Sequence, residues 1–451
     1  MKTDQDAKKI TDRIIKLAKT YGQADIILVS GSSSLTRYAD NVITQNVHED
    51  EITEVIIRLI KKSGKSSRVV VNQMDEGTIK QALKRASDMA DCQKSAEPNR
   101  LELTSRQKYE KVDSYVEATA RLSPADRARL IKEAIIECKQ RNLRGSGTYS
   151  NGVYSITVAN SKGMFAHHLS TSAEFAITCL SSDSSARATK NARDVNEINT
   201  VQLARTAADK AIKAQNAVSV PAGPYTVVLE PMASVEFLFF MAFHGFGALS
   251  YQEGRSFLSG KMGKKVMGEN INISDDIYHP MVRGMPFDFE GMPKKKVLLI
   301  EKGVAKGVVY DRLTAKKAKT HSTGHGLPQP NSHGPLTSAL VLHPADSSVS
   351  EMIASTKKGL LVSEFHYTNV LDPLKLIITG MTRNGVYLIE DGVVTKGVKN
   401  MRFTESVLSA LSNVELIARD AELQKGFFGS GGFVAPALKV DNFNFSSETK
   451  F

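Results

Sequence analysis

Histidines, carboxylates and cysteines are the side chains that hold metals and move protons, and this chain scatters most of them. His321 and His325 stand four apart, with His333 further on. On one helix face that spacing would chelate a catalytic metal and leave a position open for water. Gly324, Gly326, Pro328 and Pro330 forbid a regular helix there. The segment therefore offers at most a loop chelate, and a stand-alone hydrolase built on this atypical His site is one reading of the chain. His167 and His168 are neighbours in an expected strand, so they point to opposite faces. No Gly-x-Ser-x-Gly elbow presents a serine nucleophile. Residues 254–261 are glycine-bounded and basic but lack the Gly-Lys-Ser/Thr order of a phosphate loop. Asp288 and Glu290 share a face if the chain is extended, and read as a solvated edge or as partners for Lys294, Lys295 and Lys296. Cys92, Cys138 and Cys179 lie too far apart for a metal knuckle or a disulfide framework. A reducing cytoplasm is the plain reading of them.

The element with the strongest character is the segment 235–251. From Phe237 to Phe243 it is apolar on every side, and it breaks at His244-Gly245-Phe246-Gly247. A surface helix would show a polar face. This pattern predicts a short helix buried all round, entered from a strand over 225–230 and ended by glycines. His244 then reads as a hydrogen-bonded residue at a helix end.

Before it, the pattern runs twice through helix, strands and helix. Helices are expected at 4–21, 75–91, 123–140 and 199–214, with Asp75 and Ser123 as N-caps. Strands are expected at 24–29, 51–61 and 68–72, with a hairpin over 34–48 that turns at Asp40-Asn41. In the second block, strands over 145–150 and 153–159 flank Asn151-Gly152, a strong turn signal. Pro221-Ala222-Gly223-Pro224 marks a boundary. Beyond it short strands and glycine turns dominate, including two similar hairpins at Lys302-Gly303 and Asp391-Gly392. Helices are expected there at 350–355 and 402–418, and a frayed tail after Phe443. The expected fold class is α+β. Two related α+β modules, 1–110 and 111–220, precede a mainly antiparallel β domain, 221–451, with few helices.

Composition bounds the function. The chain has 451 residues, 41% hydrophobic and 24% charged, as in ordinary globular proteins. No apolar run approaches the roughly 20 residues that span a bilayer, and the first residues carry no secretory apolar core. The formal net charge of +11 is spread in small clusters without aromatic interleaving, which argues against a nucleic-acid partner.

The buried segment, then 254–261, Phe287-Asp288-Phe289-Glu290-Gly291, Ser322-Thr323-Gly324-His325-Gly326 and Ala437-Leu438-Lys439-Val440-Asp441-Asn442 follow one another in an order that resembles the TldD/PmbA family, once called modulators of DNA gyrase. In the proteolytic branch of that family the buried helix carries His-Glu-x-x-x-His, a zinc site completed by a C-terminal Cys. Aligned on His244-Gly245, the first His falls on Phe239 and the Glu on Phe240, and no Cys follows Cys179. The chain is most similar to the zinc-free PmbA branch, also called TldE. The resemblance implies no catalytic residue, no metal ligand and no cofactor here. It implies dimers, a homodimer when the chain is alone, and a zinc-bearing TldD-type subunit as partner. It further implies cleavage by that cytoplasmic complex of unfolded peptides held as extended strands. A homodimer that binds peptides or a client protein without cutting is the other reading. Ser322-Thr323-Gly324-His325 resembles the family's glycine loop. With His244 and Gly245 it is expected to line the peptide cleft.

Overall fold

A computed structural model describes residues 3–96, 100–425 and 431–449. The N-terminal half is built from α1 (Asp4–Ala18), β1 (Gln23–Ala39), β2 (Val42–Ile60), β3 (Ser66–Val71) and α2 (Glu76–Asp91). After a one-turn α3 (Glu117–Ala120) the plan recurs as α4 (Pro124–Gln140), β4 (Arg144–Asn160), β5 (Phe165–Leu180), β6 (Ser185–Ala192) and α5 (Thr200–Lys213). Local chemistry explains the helix starts. Asp75 and Asn199 accept from backbone N–H groups of the first turn, and Ser123 forms a capping box with Asp126.

The two blocks join edge to edge. β1 pairs antiparallel with β4, giving one six-stranded sheet of order β3-β2-β1-β4-β5-β6. One face of the sheet carries α1 and α2 over the first block and α4 and α5 over the second. The other face sends Ile27, Val158, Met164 and Ala166 against Met285 and Phe287 of the C-terminal half.

The Asn151-Gly152 turn does not form. Both residues lie inside the continuous β4, and the chain reverses ten residues later at 161–164. Asn151 is buried and committed: it accepts from Arg127 Nη1 (2.8 Å) and donates to the Thr119 carbonyl (2.8 Å). A Cβ at Gly152 would sit 2.8 Å from the Ser32 carbonyl oxygen, so glycine serves close strand packing and not a turn. At Asp40-Asn41 both residues do adopt positive φ, as a two-residue hairpin turn requires. The strands it joins are far longer than the sequence pattern suggests.

The C-terminal half comprises β7 (Gly223–Leu229), α6 (Pro231–His244), α7 (Ala248–Gln252), β8 (Ile273–Asp275), β9 (Val297–Glu301), β10 (Val304–Ala305), α8 (Arg312–Lys317), β11 (Ala339–Leu342) and α9 (Val349–Ala354). It continues with β12 (Lys358–Asp372), β13 (Ile377–Glu390), β14 (Val393–Gly397), β15 (Met401–Ser406), α10 (Val407–Ser412), β16 (Val414–Lys425) and β17 (Gly432–Glu448). β7 pairs with both β12 and β17, so β7-β12-β13-β15-β17 closes into a ring. Phe365, Phe403 and Phe443 pack together in its core, with ring centroids 4.3 to 5.8 Å apart. The expected helix over 402–418 is strand, one short helix and strand, because alternate residues such as Met401 and Phe403 face the core. Residues 444–448 continue β17 and pair with β7 and β15 in place of the expected frayed tail. The fold is α+β, with sheets dominant. Among the described residues no helix is long and apolar enough to cross a membrane.

Candidate functional site

α6 follows β7 directly. Pro231 occupies its first turn, where no N–H is needed. Ser234 Oγ donates to the Pro436 carbonyl of β17 (2.6 Å), and Phe237 packs on Phe365. Phe237, Leu238, Phe240, Met241 and Ala242 are buried as their pattern predicts. The helix is not enclosed all round: Phe239 is partly covered, and Phe243 points outward at 41% exposure.

The rings form a continuous cluster of edge-on and tilted contacts. Phe239 lies 5.2 Å from Phe240, 5.4 Å from Phe243 and 6.3 Å from Phe433 of β17. The Phe240 ring runs parallel to His244 at 6.4 Å. Burial lowers the pKa of His244, so its neutral form is favoured. His244 borders a cavity of about 270 Å³ together with Phe243, Ser250, Arg255 and Leu374. Gly245, at the helix end, accepts from Ser256 Oγ (2.7 Å).

A second constellation surrounds the glycine loop, and it is charged and buried. His325 is 2% exposed. Its Nε2–H donates to Asp275 Oδ1 (3.0 Å), and Thr323 Oγ1 lies 2.9 Å from its Nδ1. Asp275 Oδ2 also accepts from the Ser338 and Ala339 N–H groups (2.6 and 3.0 Å). Burial alone would push this carboxyl up. His325, Lys294 and the Ala339 N–H outweigh it and hold the pKa down to about 2. Lys294 Nζ donates to Ser338 Oγ (2.7 Å); burial lowers its pKa, while Asp275 and Asp288 oppose that shift.

Asp288 completes the network. It accepts from the Glu290, Met292 and Gly326 N–H groups at 2.7 to 2.9 Å. Burial still raises its pKa. Glu290 accepts from the Arg312 N–H (3.0 Å), and burial together with Asp288 pushes it up to about 8. Asp288 is buried and Glu290 half-buried in a turn and not on a solvated edge, and Lys294 is buried and not a solvated loop charge. Glu290 borders a cavity of about 400 Å³ that also touches Asp25, Arg58 and Asn160 of the N-terminal sheet.

Residues 309–310 join the segment after α6 to the glycine loop. Val309 N–H donates to the Phe246 carbonyl (2.8 Å), and Tyr310 N–H donates to Thr323 Oγ1 (2.7 Å). Ser322 Oγ donates to the Tyr310 carbonyl (3.2 Å), and the Gly324 N–H donates to Ser322 Oγ (3.1 Å). Phe246, two residues past the end of α6, and the glycine loop thus flank residues 309–310. His325 is spent on Asp275 beneath the surface. His321 and His333 are exposed, so the three histidines form no loop chelate. His167 bonds Thr157 (2.8 Å), while His168 is buried on the opposite face, its pKa lowered to about 3 by burial and by Arg193. Sequence reasoning missed Asp275 altogether, since a lone acid fifty residues from its partner leaves no local signal.

The family profile described as "PmbA/TldA metallopeptidase C-terminal domain" matches residues 222–447, and that of the central domain matches 102–215. The chain belongs to the PmbA/TldD metallopeptidase family. A metalloprotease of Methanocaldococcus jannaschii is 27% identical over 237 residues, 52% of each chain. The metalloprotease TldD homolog of Haemophilus influenzae is 28% identical over 252 residues, 53% of this chain and 52% of that one. The chain thus spans about half the length of these curated relatives. TldE from Thermococcus kodakarensis shares the fold, with a TM-score of 0.87 at 21% identity over 97% of this chain and 99% of the other.

A PmbA/TldD metallopeptidase domain raises the question of a metal. The helix positions that would supply ligands hold Phe239 and Phe240, with His244 alone. Phe239 meets Phe240 edge-on, and the Phe240 ring lies parallel to His244. Among the described residues no three His, Cys, Asp or Glu side chains converge to hold an ion. The residues do not fit a catalytic zinc.

Proposed function

We propose that this chain is the zinc-free, non-catalytic subunit of a two-chain peptidase, and that a zinc-bearing TldD-type chain supplies the catalytic residues. The observation that carries the reading is the phenylalanine cluster on α6, which puts apolar rings where the zinc-bearing branch has a His and a Glu. The likeness in fold to a TldE supports it. In this reading the chain completes a cleft for unfolded peptides held as extended strands. Backbone hydrogen bonding is blind to side chains, so such a groove accepts many sequences. His244 and the Ser322-Thr323-Gly324 turn are the residues nearest that cleft, and His325 holds the turn in place from below.

The test is reconstitution. The chain alone should give a homodimer by light scattering, no stoichiometric zinc after dialysis, and no peptidase activity. Mixed with a TldD-type chain from the same source, it should form a heterodimer and raise hydrolysis of an unstructured peptide. One zinc per chain in the isolated protein, with hydrolysis abolished by a chelator, would overturn the proposal. So would a monomer at micromolar concentration that the partner leaves unchanged.

A further inference from the structure

We propose that Cys138 and Cys179 are an oxidisable dithiol inside the N-terminal half, which hydrogen peroxide closes to a disulfide that ties α4 to β5. The two residues are 41 apart in sequence and share no spacing motif. The fold brings their sulfurs to 3.2 Å, inside the ordinary contact distance of two unbonded sulfurs. A disulfide bond is about 2.05 Å long, so roughly 1 Å of travel separates the dithiol from the cross-link. The surroundings aim the thiols at each other. Gly145 has no Cβ, and one placed there would lie 2.9 Å from Cys138 Sγ, so the sulfur sits close against the Gly145 backbone. Cys179 Sγ also lies 3.9 Å from the Ala204 carbonyl. Both side chains are 0% exposed and sit among Tyr38, Phe175 and Ile177. Two cysteines used only as small apolar filling could each pack against carbon; here sulfur meets sulfur.

Either thiol can donate to the other; with Cys179 as donor the Cys138 pKa falls against its burial, Arg141 acting in the same sense, and that of Cys179 rises. With the proton on Cys179, Cys138 is the attacking sulfur, and the reverse assignment gives the same disulfide. The Cys138 thiolate attacks one peroxide oxygen and the O–O bond breaks. The other oxygen leaves as hydroxide and takes up the proton that Cys138 released, giving water. The sulfur of Cys179 then attacks the sulfenic acid at Cys138. The S–O bond breaks, the S–S bond forms, and the hydroxyl leaves with the Cys179 proton as a second water. The thiol pair loses two electrons and the peroxide gains them. Burial makes the step depend on local opening of α4, so it is slower than oxidation of the exposed Cys92. The cross-link stabilises the fold by removing conformations from the unfolded chain.

The experiment uses the full chain carrying Cys92→Ser. The native protein is treated with hydrogen peroxide, free thiols are alkylated, and non-reduced peptides are mapped by mass spectrometry. A linked Cys138–Cys179 peptide that dithiothreitol reverses, with a higher unfolding temperature in the oxidised form, is the expected result. Adding Cys138→Ser should abolish both the linked peptide and the temperature shift. Should that variant fold poorly, the Cys92→Ser protein compared before and after dithiothreitol reads the same shift. Two free thiols after peroxide exposure long enough for α4 to open, as hydrogen exchange of its amides reads it, would overturn the proposal. So would a linked peptide that forms only in denaturant.

Discussion

Replacing Asp275 with Asn isolates the charge at the centre of the buried network. The substitution keeps size and one oxygen able to accept from Ser338 and Ala339, and it removes the charge that faces His325 and Lys294. The carboxyl is held at about 2, against an ordinary 3.8. A difference of nearly two units corresponds to roughly 2–3 kcal/mol. Removing one partner of a buried ion pair costs about 3–5 kcal/mol when nothing replaces it. Asn retains part of the hydrogen bonding, so a loss of about 3 kcal/mol near neutral pH is expected. The pH dependence has a definite sign. A carboxyl whose folded pKa lies below its unfolded pKa contributes fully above the unfolded value, and that contribution disappears as pH falls through the folded value. Unsubstituted and Asp275→Asn proteins should therefore differ most near neutral pH and converge as pH falls from 3.8 toward about 2. Urea unfolding followed at neutral pH, and at acid pH across that window, measures the difference. A neutral-pH loss under about 1 kcal/mol, or a loss that persists undiminished at the acid end, would refute this account of the network.

Other positions give sharper local tests. Phe239→His with Phe240→Glu should yield no zinc-loaded peptidase and should lower the unfolding temperature, because it places an unpaired carboxylate in the core; elemental analysis and calorimetry decide it. Gly326→Ala would put a Cβ 2.5 Å from the Glu290 carboxylate oxygen and displace it from Arg312, costing about 1–3 kcal/mol in denaturant unfolding. An unchanged midpoint would show that the turn has slack. Burial and Glu364 raise Glu236 on α6 from 4.5 to about 7, so the native state binds the proton more tightly and ionisation costs stability as pH rises between those values. Glu236→Gln should match the unsubstituted protein in acid and exceed it above neutrality by roughly 1–3 kcal/mol; equal stability at high pH would contradict the shift.

What could be read from residues depended on how near their partners lie. The caps at Asp75, Ser123 and Asn199 act within one turn of their own helices. The hairpin turns at Asp40-Asn41, Lys302-Gly303 and Asp391-Gly392 need only two residues with positive φ, and all three adopt it. The apolar run on α6, and the phenylalanines standing where a zinc helix has ligands, are likewise matters of residue type at fixed spacing. The strands were harder. β1, β2 and β4 each run unbroken through segments that look interrupted, because their neighbours in the sheet supply the hydrogen bonds.

The sequence by itself determined the helix caps at Asp75 and Ser123, the turns at Asp40-Asn41, Lys302-Gly303 and Asp391-Gly392, and the absence of a His-Glu pattern on α6, since each rests on residues a few positions apart. Only the tertiary structure decided which polar groups are buried and with whom. Asn151-Gly152 has the composition of a turn, yet the buried Arg127 guanidinium claims the Asn151 side chain and a neighbouring strand fills the space beside Gly152. Asp275 and His325 are fifty residues apart, and Cys138 and Cys179 are 41 apart. A charge or a thiol acquires its chemistry from the dielectric and the partners around it. Those are set when distant strands and loops close over it, and no local pattern of residues encodes them.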